Sequence, residues 1–212
     1  MQKKIILDQI EKNVLVCKNC RLCETALKAV PGEGNINADI VFIGEAPGAN
    51  EDKTGRPFVG RAGQLLEKLL GEIGMKREDV WIGNIIKHRP PKNRDPMPDE
   101  IEACQPYLKL QLEAIQPKLI VTLGRFAMNY FHKQGKITND HGTLKKIGKY
   151  YIFPVYHPAA ALRNGKYADV LHADFVKIPK VIKFIEMRES EGDADTDSTP
   201  EDETQLGLFN AY

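Results

Sequence analysis

Several features that would fix the class of this chain at once are missing from it. No segment of its 212 residues is long and apolar enough to span a bilayer. The start, MQKKIILDQI, lacks the apolar stretch and small-residue cleavage site of a secretory signal. A cytosolic protein without membrane attachment is therefore expected. No glycine-rich turn is followed by Gly-Lys-Ser/Thr, which excludes the phosphate loop of nucleotide hydrolases. No internal repeat is present. Cysteine is scarce, with only Cys17, Cys20, Cys23 and Cys104. Three of the four recur at spacing three, which in a reducing compartment points to a metal or cluster rather than to disulfides.

Basic residues are also absent after Arg188, while residues 189–212 hold eight acids. The part before them carries 30 basic against 21 acidic side chains, a balance of +9. A basic body suggests a polyanion such as nucleic acid, although solubility alone can account for some of it. Residues 1–188 read as one domain. Residues 189–212, acidic and poor in apolar side chains, read as a disordered tail.

Apolar patterning predicts a helix over 4–16, strands over 40–43, 80–86, 118–123 and 150–156, and helices over 61–73, 99–115, 126–131 and 171–187. The Pro-rich basic stretch 89–98 predicts a loop. Strands alternating with helices imply an α/β fold, a three-layer α/β/α arrangement around a mainly parallel sheet. Ligands of such sheets bind beyond the carboxyl ends of the strands. The least ordinary residues of this chain fall there.

Three motifs occupy those ends. GEAPG, residues 44–48, forces a tight turn whose N–H groups can bind an anion or a carbonyl, and Glu45 adds a carboxylate. By itself it can also be an ordinary loop. Asn84 lies inside the apolar run WIGNIIKH. Its amide can read a base edge or make a structural hydrogen bond. His157, in HPAAALRN, can donate to a developing negative charge or be a satisfied half-buried histidine. Leu162 in the same motif reads as a wedge for a base stack or as a core residue.

Together GEAPG with its extension EDKTGRPFVGRAGQLL, the strand bearing Asn84, the loop RPPKNR and HPAAAL resemble family 4 uracil-DNA glycosylases, the iron–sulfur branch. The resemblance spans roughly residues 14–180. It implies a central four-stranded parallel sheet and excision of uracil from DNA by hydrolysis of its N-glycosidic bond. By the same resemblance Phe58 stacks on the flipped base. Asn84 hydrogen-bonds the uracil edge, and His157 stabilises charge on uracil O2. Glu45 and Gly44 contact uracil or place the attacking water. Lys87, Arg89, Lys92 and Arg94 in the basic loop, with Leu162 and Arg163, are the expected DNA contacts.

The resemblance further implies a [4Fe–4S] cluster held by Cys17, Cys20, Cys104 and a cysteine of the basic loop. Here that loop reads KHRPP, so His88 stands at the third position. Either His88 or Cys23 completes the set, or the site is a smaller cluster or a zinc site. Near the chain's end, Gln205, Leu206, Leu208 and Phe209 resemble the peptide that docks on the bacterial sliding clamp, with Gly207 a departure. A monomer acting on uracil-containing DNA is expected. The alternative is a non-catalytic iron–sulfur nucleic-acid-binding protein. It would have no need of Phe58, Asn84 and His157 together.

Overall fold

A computed structural model describes residues 2–191. The expected acidic tail, apart from its first residues, and the peptide Gln205–Phe209 lie outside the described residues. In chain order the principal elements are α1 (Gln2–Leu15), β1 (Glu33–Gly34), β2 (Ile40–Gly44), α2 (Ala49–Thr54), α3 (Arg61–Glu72), β3 (Trp81–Asn84) and α4 (Pro98–Ile115). They continue with β4 (Leu119–Leu123), α5 (Arg125–Phe131), α6 (Ile137–Asp140), β5 (Lys145–Ile147), β6 (Tyr150–Val155), α7 (Pro158–Arg163) and α8 (Gly165–Ser190). No described helix is long and apolar enough to cross a membrane.

Among the described residues the sheet has six strands in the order β1-β3-β2-β4-β6-β5. Its four middle strands are mutually parallel. They are the four the sequence predicts. The two additions, β1 and β5, are short antiparallel edges on β3 and β6. An isolated pair or triplet of residues carries no readable alternation, so only pairing defines them.

The middle strands are buried throughout β2, β3 and β4, as both-face coverage requires. Successive side chains alternate between two cores. Ile40, Phe42, Leu119 and Val121 pack with α3 and α8, where Phe42 stacks on Phe175 at 5.8 Å. Val41, Ile43 and Ile120 pack with α4 and its Leu108 and Leu112.

Helix boundaries follow local chemistry. Pro98 is the first residue of α4, where its missing N–H costs nothing. The buried Glu100 reaches back to accept from the Met97 N–H at 2.8 Å. The closing helix begins six residues earlier than its apolar period suggests. Asn164 caps it by accepting from the Lys166 N–H at 3.1 Å.

β3 stops at Asn84, two residues before the apolar run ends. Beyond it the Ile85 N–H donates to Gly44 O and the Ile86 N–H to Glu45 O. The strand's continuation is therefore paired with the GEAPG turn.

Candidate active site

A cleft of about 710 Å³ opens at the carboxyl ends of the parallel strands. Glu45 and Gly48 from the turn after β2, Asn84 from β3, Gly124 after β4 and His157 after β6 all line it. Phe58, on the loop between α2 and α3, forms another wall. Residues far apart in sequence thus meet where an open α/β sheet places its ligand.

Asn84 is 1% exposed, and its Oδ1 is a buried acceptor without a hydrogen-bond partner among the described residues. Such a group is costly unless something satisfies it. Gly44 lies between it and Phe58. A Cβ on Gly44 would stand 2.5 Å from Asn84 Oδ1 and 2.5 Å from Phe58 Cζ. No side chain fits at that position.

Phe58 is held in the left-handed region, φ 49°, which is uncommon for an aromatic residue. Arg77 Nη1 donates to its carbonyl at 3.1 Å and Nη2 to that of Pro57. Glu33 accepts from Arg77 Nε at 2.9 Å. On the other side Gly63 presses against the Phe58 carbonyl so closely that a Cβ there would clash at 1.8 Å. The ring stands 5.8 Å from that of His157, tilted by 31°.

Glu51 completes this wall. One carboxylate oxygen accepts from the N–H groups of Val59 and Gly60 at 2.9 and 2.8 Å, the other from that of Gly48 at 3.1 Å. A single buried carboxylate thus ties the GEAPG turn to the Phe58 loop. The sequence reading missed Glu51. Its signal was the capping-box spacing of Gly48 and Glu51 at the start of α2.

His157 Nδ1 accepts from the Ala159 N–H at 3.0 Å. Burial, with Arg163 adding like charge, lowers its pKa to about 4. The ring is therefore neutral near pH 7, and an acceptor at Nδ1 leaves the proton on Nε2. Glu45 is shifted the other way. Burial and the neighbouring Asp95 raise its pKa to about 7 against the pull of Arg125 and Arg163. The cleft therefore holds a neutral donor and a carboxyl group near the midpoint of its titration.

The rim is basic. Arg61, Arg94, Arg125 and Arg163 line it. Arg94 is largely committed to Glu100, at 2.8 and 2.5 Å, and Arg125 pairs with the exposed Asp95 at 2.6 Å. Leu162 is 41% exposed and lines the cleft, so it is not a core residue. Lys92 is exposed, with φ 54°. Arg89 turns back to Asn93 at 2.7 Å and toward Asp52 at 3.7 Å.

Lys87 corrects the sequence reading. Expected to meet DNA phosphates, it has no exposed surface, and its Nζ donates to Asn84 O at 2.9 Å and Gln111 Oε1 at 2.8 Å. It cannot reach a backbone phosphate from there. Arg61 and Arg125, which the sequence reading passed over, stand at the rim instead.

Behind Asn84 the cysteines gather. Among the described residues none of the four is paired in a disulfide. Cys17 and Cys20 are close enough to Cys104 to act on its ionisation, and burial is the main cause that raises the Cys104 pKa to about 11. The Lys87 N–H donates to Cys104 Sγ at 3.4 Å. His88 is buried with its Nδ1 unpartnered among the described residues, and it lines a second cavity of about 520 Å³ together with Cys17 and Cys23. Among the described residues no three His, Cys, Asp or Glu side chains close on a point that would hold a single metal ion. Asp52 anchors the cysteine segment by accepting from the Leu27 and Lys28 N–H groups at 2.8 and 3.3 Å.

Comparison with known proteins accords with this geometry. The model of the uracil DNA glycosylase superfamily matches residues 31–176. A type-4 uracil-DNA glycosylase of Sulfurisphaera tokodaii is 50% identical over 184 residues, covering 81% of this chain and 83% of the relative. That of Saccharolobus solfataricus is 50% identical over 186 residues, covering 83% and 86%. That of Archaeoglobus fulgidus is 45% identical over 183 residues, covering 81% and 91%.

Proposed function

The chain belongs to the type-4 branch of the uracil-DNA glycosylase superfamily, and on that premise we propose that its strand-end cleft takes a uracil flipped out of DNA and hydrolyses the N-glycosidic bond. The observation that carries the reading is the unpartnered, buried Oδ1 of Asn84 beside the Phe58 ring. Uracil presents an N3–H donor where cytosine presents a bare acceptor. A buried acceptor therefore admits the first and rejects the second.

A base inside a duplex must be flipped out before its glycosidic bond can be reached. Phe58 offers a ring face for it. As the bond breaks, its electron pair stays with the base and charge grows on uracil O2. The His157 Nε2–H donates to that oxygen without giving up its proton. Water adds to the sugar carbon and loses a proton, which the Glu45 carboxylate accepts. The free guanidinium edges of Arg61 and Arg163, with Lys92 and the exposed Leu162, hold the flanking strand.

The residues also fit an iron–sulfur cluster. The donors are soft thiols, His88 supplies an orphaned buried nitrogen, and the hydrogen-bond partners of the buried Lys87 ammonium are neutral. An anionic cluster nearby would answer that charge. We assign Cys17, Cys20, Cys104 and His88 as its ligands, with Cys23 the alternative to His88. When bound, the group would cross-link the N-terminal segment, α4 and the loop after Asn84. The tail peptide at Gln205, Leu206, Leu208 and Phe209 is proposed to tether the enzyme to the sliding clamp. A cytoplasmic monomer fits this role.

The deciding experiment incubates the purified protein with a uracil-containing oligonucleotide and then with alkali. Strand cleavage is expected. An intact strand that the protein nevertheless binds would favour the non-catalytic binding protein.

A further inference from the structure

Lys87 is a buried lysine that makes no ion pair with a carboxylate among the described residues. Its ammonium instead holds two neutral oxygens, Asn84 O at 2.9 Å and Gln111 Oε1 at 2.8 Å, and lies 5.8 Å from the Trp81 ring centre. Gln111 is fixed in turn, its Nε2 donating to Pro31 O at 2.9 Å. The Lys87 main chain is equally engaged, with its N–H on Cys104 Sγ and its carbonyl accepting from the Val30 N–H at 2.8 Å. One residue thus joins the end of β3, α4 and the segment at residues 30–31.

Filling space does not require this arrangement. Desolvating an ammonium is costly, and an apolar side chain of the same length generally packs as stably in such a place. What an ammonium does and a methyl cannot is grip the Asn84 carbonyl. That carbonyl sits where the strand ladder ends, on the residue whose carboxamide faces the cleft. The N–H of the same peptide, on Ile85, is held by Gly44 O at 3.0 Å, so the ammonium supplies the second of its two tethers. A peptide held at one end only would tilt about it and shift the Asn84 side chain relative to Gly44 and Phe58.

We propose that Lys87 is a positioning residue for uracil excision, whose ammonium fixes the Asn84 main chain so that the carboxamide meets the edge of the base. The proposal rests on the reading of Asn84 as the group that reads uracil. It assigns Lys87 a task on the pocket side, apart from any support of the cysteine region.

The test compares Lys87→Met, Lys87→Arg, Gln111→Met and Asn84→Ala in single-turnover excision, with iron content and thermal midpoint measured for each. Lys87→Met is expected to lower the maximal rate by about 10- to 100-fold, the scale of a small misplacement at a reacting centre. Its half-saturating concentration should stay within about twofold of wild type, because DNA binding is untouched. Lys87→Arg keeps a donor and should recover most of the rate. Gln111→Met unpins the ammonium while leaving Lys87 in place and should give a smaller loss at unchanged iron content. The Lys87→Met, Gln111→Met double variant should be no slower than Lys87→Met alone, because both remove one tether. A wild-type rate for Lys87→Met overturns the proposal. So does a Lys87→Met loss that only follows lost iron or lost fold while Gln111→Met excises normally. A normal rate for Asn84→Ala would instead remove the underlying reading of Asn84, a result separable from either.

Discussion

Asn84 and Phe58 face each other across the bare Cα of Gly44. A methyl group on that carbon would meet the carboxamide oxygen and the ring edge alike, each at 2.5 Å. The gap between these two side chains is therefore defined by the absence of a third.

Gly44→Ala is expected to keep the fold and lose activity. The methyl must displace Phe58 or Asn84, and Phe58 is pinned by Arg77, Glu51 and Gly63. A fall of about 100-fold or more in single-turnover rate should accompany a near-native circular dichroism spectrum. A rate within a few-fold of wild type would show that the gap does not hold the base.

The pH profile should follow Glu45. With its pKa raised to about 7, the carboxylate form grows in as pH rises from about 6 to 8, and the rate should climb across that window. His157 adds no limb there, because its pKa is lowered to about 4 and the ring stays neutral. Glu45→Gln should flatten the profile at a low rate. An unchanged profile in that variant would remove Glu45 from the proton transfer.

The same shift has a stability sign. A carboxyl whose folded pKa lies above its unfolded value contributes stability at low pH and loses it as pH rises through the folded value. Wild type should therefore weaken from about pH 5 to pH 8 relative to Glu45→Gln. The difference should reach roughly 1–2 kcal/mol after allowance for partial exposure of the group. Denaturant melts at both pH values check this. A wild-type-to-variant difference that stays constant from pH 5 to pH 8 contradicts the burial cause of the shift.

Glu51→Ala should be costly in two ways. It strips the partner from three backbone N–H groups, for an expected loss of about 2–4 kcal/mol. It also unties the Phe58 loop from the GEAPG turn, so excision should slow even where the protein remains folded. Thermal melts and single-turnover rates taken together test the pair of effects.

Salt dependence should separate the rim from the interior. Arg163→Ala is expected to weaken DNA binding and to reduce the slope of log affinity against log salt by about one. Lys87→Met should leave that slope unchanged, because its ammonium is shut off from solvent. A reduced slope for Lys87→Met would contradict the buried geometry.

The four parallel strands were legible because β2, β3 and β4 are apolar runs buried on both faces, and β6 becomes one after its two half-buried tyrosines, a pattern that needs no partner to be seen. The edge strands at 33–34 and 145–147 were not, since two or three residues hold no period. Phe58, Asn84 and His157 were legible through ordered motifs, and the fold brings them to one cleft, with Gly44 set between Phe58 and Asn84. Lys87 was misread for a physical reason. A lysine beside a basic, Pro-rich loop looks solvated in one dimension, and only tertiary contact with Gln111 and Trp81 reveals otherwise. Glu51 hid among the acids of ANEDK, where three hydrogen bonds from two separate loops leave no trace in composition.

The hydrogen bonds from Ile85 and Ile86 to the carbonyls of Gly44 and Glu45 have a consequence for selectivity by size. They sew the GEAPG turn to the end of β3, so the Gly44 floor of the gap and its Asn84 wall cannot hinge apart. Phe58, on the loop between α2 and α3, lies outside that seam and is the one wall left to yield to a larger base. Selection by size then rests on this ring set against a backbone floor. Hypoxanthine-containing duplexes are accordingly expected to stay uncut by the wild type, and any gain of cutting is expected first in variants that shorten Phe58.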